Sequence, residues 1–235
     1  MSVDDIVKLI DAITKLLSVL VYPAVLLFFL IRFGRDLSEF FSGLGELSFK
    51  GAGFEASLKR KQAEAAAALA AAAISKPGES PNSEAAVQEA KAAVTVVSEA
   101  VNPRIAKRAS RARVLWVDDR PSNNIYERQA LEALGVSFDL ATSTEEALNK
   151  IERRRFDAII SDMGRPPDAQ AGYTLLDKLR AMGNQTPFII YAGSKLPEHI
   201  AEARRRGAVG CTNSANDLFE LVLFAISRKV DKKWG

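Results

Sequence analysis

Two short apolar runs that each stop on acidic residues constrain this chain more than anything else in it. Val114-Leu115-Trp116-Val117 runs into Asp118-Asp119, and Ala158-Ile159-Ile160-Ser161 runs into Asp162. Continuous apolar runs of this length read as buried, parallel strands. In an open α/β sheet the ligand site lies beyond the carboxyl ends of the strands. Asp118, Asp119 and Asp162 are therefore expected to converge. Three carboxylates packed together repel, so one or more stays protonated unless a cation sits among them. An oxygen-only donor set of this kind suits Mg²⁺ in near-octahedral geometry, with waters completing the shell.

The pattern continues on both sides of these runs. Strands are expected at 113–117, 136–141, 157–162, 187–192 and 209–213, and helices near 123–134, 143–155, 171–182, 196–206 and 216–229. Gly135, Gly183 and Gly207 fall where helix C-caps belong. Ser143 is placed to cap the helix that follows it, with Glu145 and Glu146 in its first turn. Crossovers of this length between parallel strands are right-handed. The expected fold class is therefore α/β, a flavodoxin-like five-stranded parallel sheet of order 2-1-3-4-5.

On the Asp118-Asp119 pair, the single Asp162 and the alternation around them, the segment 113–229 resembles a response-regulator receiver domain, roughly half of the chain. The resemblance implies that the paired acids hold Mg²⁺ and that Asp162 accepts a phosphoryl group. It also implies a histidine kinase or another signalling protein as partner. Two further residues complete the chemistry in that family: a Ser or Thr ending the fourth strand and a Lys ending the fifth, usually followed by Pro. Here Ala192 stands at the first position, Ser214 at the second and Ala215 in place of the Pro, while Cys211 aligns with the aromatic switch residue. A missing Lys removes a charge-assisted contact of roughly 1.5–3 kcal/mol to a dianionic group. Ser194, Lys195 and Arg165 are candidate replacements, and Asn123 and Asn124 offer amides near the first strand's end. A possible ligand pocket is thus Asn123, Arg165, Ser194, Lys195 and Ser214, beside the long, proline-stiffened loop 164–170. Three readings of the acidic site stay open: a conditional phosphoacceptor with Mg²⁺, a repurposed ligand pocket, and solvated remnants of an ancestral site.

From Leu16 to Ile31 the chain carries no charge. Extended back to Ala12 it reaches the ~20 residues of a membrane-spanning helix, with Lys15 able to snorkel and Pro23 tolerated within it. A cleaved signal peptide is the main competitor. Against it, Asp4 and Asp5 stand where a basic n-region belongs, and no A-x-A site follows. Arg32 and Arg35 follow the span directly, so the positive-inside rule places the C-terminal bulk in the cytoplasm. The expected location is a bacterial-type inner membrane, single-pass, with the N-terminus outside. Val3, Ile6, Ile10, Ile13 and Leu17 add an amphipathic stripe ahead of the span, available to lipid or to a second copy.

The chain divides into four regions: 1–35 as amphipathic and transmembrane helix, 36–58 as a hairpin-like juxtamembrane segment, 59–112 as an Ala-rich helical linker, and 113–235 as the receiver-like domain. The hairpin is expected from the alternation of Leu47–Leu58 about Gly51-Ala52-Gly53, with an irregular loop as the competing reading. Lys59–Ser75 is rich in alanine and reads as a semi-rigid helical spacer. Lys76–Asn82 breaks it, and Ser83 opens a second helix to about Val101, able to pair with the first. Arg104–Arg113 is read as a basic hinge that contacts anionic headgroups or RNA, or stays a solvated linker.

Composition excludes several classes. A formal net charge of +3 is too mild to argue for nucleic acid. One Cys and one His leave no intrachain disulfide framework and no Cys/His zinc site. An enzyme is not expected, since no glycine-rich phosphate loop or G-x-S-x-G elbow is present. The function expected is a membrane-tethered, receiver-like module whose acidic site controls partner binding or self-association as a homo-oligomer. The alternative is an oligomerising membrane effector, pore-like or membrane-disrupting, gated by the same domain.

Overall fold

Strand-forming apolar runs and amphipathic helices alternate from Arg113 to Arg228 in the computed structural model, which describes residues 52–75, 83–193 and 196–228. The strands are β1 Arg113–Val117, β2 Ser137–Ala141, β3 Ala158–Ser161, β4 Phe188–Tyr191 and β5 Gly210–Thr212. All pair parallel in the order β2-β1-β3-β4-β5, the expected topology. Each strand lies within about two residues of its expected bounds.

Side chains alternate across the sheet, as a period of two requires. Val114, Trp116, Ala158, Ile160 and Ile189 bury on one face. Leu115, Val117, Ile159, Phe188 and Ile190 bury on the other. A fully buried aliphatic or aromatic side chain contributes about 1.5–3 kcal/mol, so these ten positions are what hold the sheet between its helices. A 3₁₀ turn, Pro121–Asn124, leads into α4 Ile125–Ala133. Then come α5 Thr144–Arg153, α6 Ala171–Ala181, α7 Pro197–Arg205 and α8 Ala215–Arg228. Ser143 caps α5, its hydroxyl accepting from the Glu146 amide at 3.1 Å. Gly135, Gly183 and Gly207 adopt φ of +96°, +73° and +93° at the ends of α4, α6 and α7, the left-handed turn that stops a helix at little steric cost.

The N-terminal half departs from expectation. Ala52–Ile74 is one helix, α1. The second arm of the expected 36–58 hairpin is therefore helical, and its first arm lies outside the described residues. A lone hairpin is marginal in water, whereas Glu55 to Leu58 extend an uninterrupted run of good helix formers. α2 Ser83–Ala100 and α3 Pro103–Ala109 come next. Nor is the 59–112 segment a free spacer. Ala65, Leu69, Ala72, Ala93, Val97 and Val101 are buried in the same apolar cluster as Leu218, Phe219, Val222 and Ile226 of α8, and α8 packs against α2, α3 and α4. The buried face of α2 carries Ala93 and Val97, while Val87 is exposed. The basic hinge is likewise a helix. Asn102 accepts from the Ile105 amide at 3.0 Å and Pro103 opens the first turn, while Ala106 and Ala109 are buried. The described residues from Gly53 onward accordingly belong to one compact unit.

The expected membrane-spanning helix lies outside the described residues. Among the described residues no helix is long and apolar enough to cross a membrane.

Candidate functional site

The register levels the carboxyl ends of the two central strands. Val117 pairs with Ser161 in β3 and with Ala141 in β2, so Asp118 and Asp162 leave the sheet side by side. The Asp118 amide donates to Ala141 O and the Asp162 amide to Val117 O, both at 2.9 Å. Asp119 lies next along the same edge. One carboxylate oxygen from each of Asp118, Asp119 and Asp162 lies within 4.8 Å of the others. An octahedral Mg²⁺ spans about 4.2 Å between opposite oxygens. Adjacent oxygens in that shell stand about 3 Å apart, so the three acids are near enough to share one ion once their side chains draw together, with water supplying the remaining ligands.

Local bonds orient the acids. Asp118 is almost fully buried. Its Oδ1 accepts from the Arg120 amide at 2.7 Å and its Oδ2 from Asn124 Nδ2 at 2.5 Å, leaving one lone pair on each oxygen for a cation. Asp162 Oδ1 accepts from the Met163 amide at 2.6 Å. Burial raises the Asp162 pKa above the ordinary carboxylate value; the Met163 amide opposes this, Asp118 adds to it, Arg165 opposes it and Asp119 adds to it. The chain can pass close behind because residue 172 is glycine. Its amide donates to Met163 O at 2.8 Å, and a Cβ there would stand 2.8 Å from Asp162 O.

The expected pocket residues divide. Asn123 lines a cleft of about 620 Å³ with Asp118, Asp119 and Asp162. Ala192 lines it too, so the residue at the hydroxyl position sits where expected but carries no hydroxyl. Ser214 does not enter the cleft lining. Its hydroxyl accepts from the Asp217 amide at 3.4 Å, and its own amide donates to Thr212 Oγ1 at 3.0 Å, so it opens α8. The residue that β5 delivers to the cleft is Asn213, whose Nδ2 reaches Gly193 O at 3.3 Å. Ser194 and Lys195 lie outside the described residues.

Arg165 is beside the acids but turned away from their carboxylates. It is 4% exposed. Its Nη1 donates to Ser161 Oγ and to Asp162 O, each at 2.8 Å, and its Nη2 to Thr144 Oγ1 at 3.2 Å. Burial pulls its pKa down, and Asp162, Asp118, Asp119 and Asp168 push it back up. The guanidinium thus clips the end of β3 to the start of α5. Arg165 and Asp168 exchange backbone bonds of 2.9 and 2.7 Å. Asp168 in turn accepts from Thr174 Oγ1 at 2.6 Å and from the Gln170 amide at 2.7 Å, which closes the loop after Asp162.

Tyr191, like Asn213, is a site residue that sequence reasoning missed. It ends β4, lines the cleft, and meets the Trp116 ring edge-on at 6.0 Å. The signal available was an aromatic ending an apolar strand, a side chain with a buried body and a polar tip.

Residues 114–222 match the family model of the response regulator receiver domain. The chain is similar to the sensor protein EvgS of Escherichia coli (strain K12), 33% identical over 73 residues, which are 31% of this chain and 6% of that protein. The chain thus spans a small fraction of the length of the curated relatives it matches. Among solved structures, the receiver domain of Francisella response regulator 1452 is 26% identical, covering 50% of this chain and 98% of that one with a TM-score of 0.46. The chemotaxis response regulator CheY4 of Vibrio cholerae is 29% identical, covering 50% and 97%, with a TM-score of 0.41.

Proposed function

With residues 114–222 a receiver domain of two-component signalling, we propose that this protein is a membrane-tethered receiver with an altered read-out. The observation that carries the reading is the convergence of Asp118, Asp119 and Asp162 within 4.8 Å at the mouth of one cleft. Asp118, Asp119 and Asp162 hold Mg²⁺, which neutralises their repulsion and supplies charge for a phosphoryl group. Asp162 is the phosphoacceptor, and a histidine kinase or a related signalling protein is the donor.

Ala192 and Ser214 support the altered read-out. Without a hydroxyl after β4 and a lysine after β5, a phosphoryl group on Asp162 has fewer partners to draw those loops inward. The change in charge at Asp162 then acts on partner binding or self-association. The protein is a switch and not an enzyme. The uncharged run Leu16–Ile31 followed by Arg32 and Arg35 supports a single-pass anchor in a bacterial inner membrane with the receiver in the cytoplasm.

Acetyl phosphate with Mg²⁺ should label the full chain, and the label should be absent from Asp162→Asn. No label on the wild type, under conditions that label another receiver, overturns the reading.

A further inference from the structure

The basic run that the receiver chemistry leaves unused forms a surface of its own. Arg104, Lys107, Arg108 and Arg111 recur at three- and four-residue spacing, and α3 with the turn after it brings all four to one cleft of about 440 Å³, lined also by Ala112, Asp157 and Ile226. Arg104, Lys107 and Arg111 are exposed. None of these three is in an ion pair among the described residues. The acid in the cleft, Asp157, already accepts from the Arg113 amide at 2.9 Å. Arg155, also exposed, stands two residues before it. These cations gather at the amino ends of β1 and β3, the edge of the sheet opposite to Asp118 and Asp162.

The place of this cleft along the chain matters. Gln62 Nε2 donates to Val101 O at 2.8 Å, so α2 returns the chain beside α1. Gln62 lies ten residues into that helix (52 to 62), or ~15 Å along it. α1 has 23 residues, so Val101 stands level with its middle, and α2 has carried the basic residues that follow it about halfway back from the far tip at Ser75 toward the end at which α1 begins.

We propose that the face formed by Arg104, Lys107 and Arg111 docks on an anionic bilayer surface. The inference rests on the membrane-tethered reading, since it is the tether that brings a bilayer within reach. Clustered Lys and Arg close to a membrane segment are drawn to anionic headgroups within a Debye length. Arg108 contributes charge but is half-buried, its Nη1 donating to Ser227 O. It holds α3 to α8 and so orients the other three outward.

The test uses the full chain with vesicles of phosphatidylcholine, alone or mixed with phosphatidylglycerol. Flotation reads the tether, and amide hydrogen exchange over residues 103–111 reads the patch. The chain is expected to float with both vesicle types. Exchange should slow in the anionic vesicles only, by roughly fivefold or more, and the slowing should vanish at high salt. The triple variant Arg104→Gln, Lys107→Gln, Arg111→Gln should float as before with no lipid dependence of exchange; its three sites are exposed, so the fold is not at stake. Equal exchange of the wild type in the two vesicle types overturns the proposal, as does slowing by single-stranded RNA but not by anionic vesicles. Failure to float with phosphatidylcholine overturns the tether instead, and a surviving patch then shows as salt-sensitive flotation with the anionic vesicles alone.

Discussion

The Tyr191 hydroxyl donates a 2.8 Å hydrogen bond to Glu127 Oε1, joining the end of β4, where Tyr191 lines the acidic cleft, to the first turn of α4. Glu127 is only 7% exposed. Burial first, and then the Glu127 carboxylate, push the Tyr191 pKa well above the ordinary phenolic value, so this hydroxyl stays a donor at any physiological pH. Tyr191→Phe keeps the ring against Trp116 but takes the donor from a buried carboxylate. We expect a loss of about 1–3 kcal/mol, read from urea unfolding. Mg²⁺ affinity should change little, because Tyr191 supplies no ligand.

Asp162 sets a pH dependence of definite sign. Its folded pKa lies above its unfolded one, chiefly through burial, so over that interval the folded state binds more protons. Stability of the metal-free protein should then fall as pH rises from the ordinary carboxylate value through the folded pKa. Asp162→Asn should remove that slope and melt higher than wild type near neutral pH without metal. Added Mg²⁺ should raise the wild-type melting temperature and raise that of the variant less. A variant that melts lower than wild type in metal-free buffer would contradict the assignment.

Arg165 should prove costly to remove. Arg165→Met takes the guanidinium donor from Ser161 Oγ, Asp162 O and Thr144 Oγ1, and leaves Asp162 O only the Ser161 hydroxyl. We expect a destabilisation of about 2–4 kcal/mol together with faster amide exchange across the 163–170 loop. Arg165→Lys keeps the charge but not the fork geometry, and it should recover part of the stability.

The helical pair should behave as core. Leu69 is fully buried although it lies far from the receiver in sequence. Leu69→Ala is expected to cost about 2–5 kcal/mol in a single unfolding transition. A separate, earlier transition of the helices would show that they are an appendage.

The receiver sheet was legible because burial on both faces leaves unbroken apolar runs, and Val117 and Ser161 mark the points where those runs meet acid. Asn213 was not legible. The expected fifth-strand end differs from the observed one by a residue, since Thr212 Oγ1 donates to Asp217 and accepts from the Ser214 amide, turning the chain into α8 early. The direction of Arg165 was hidden for a similar reason: spacing brought it near the acids, and only the hydroxyls of Ser161 and Thr144 decided which way it turned. The packing of α1 left little trace either. Its buried face is mostly alanine, a residue that favours helices wherever they lie, so a packed helix and a solvated one read alike. The second arm of the expected hairpin is helical instead, because alternation over a few residues was outweighed by the helix propensity of the alanine-rich run beginning at Lys59.

The burial of Ala93, Val97 and Val101 with Phe219 and Val222 has a practical corollary for anyone dissecting this molecule. Cutting the polypeptide just ahead of Arg113, where the family resemblance begins, would strip one flank of the final helix and leave its greasy side to water. Such a truncated piece should cling to its own copies through a surface that the intact chain keeps covered. The smallest faithful reagent begins no later than Ala52.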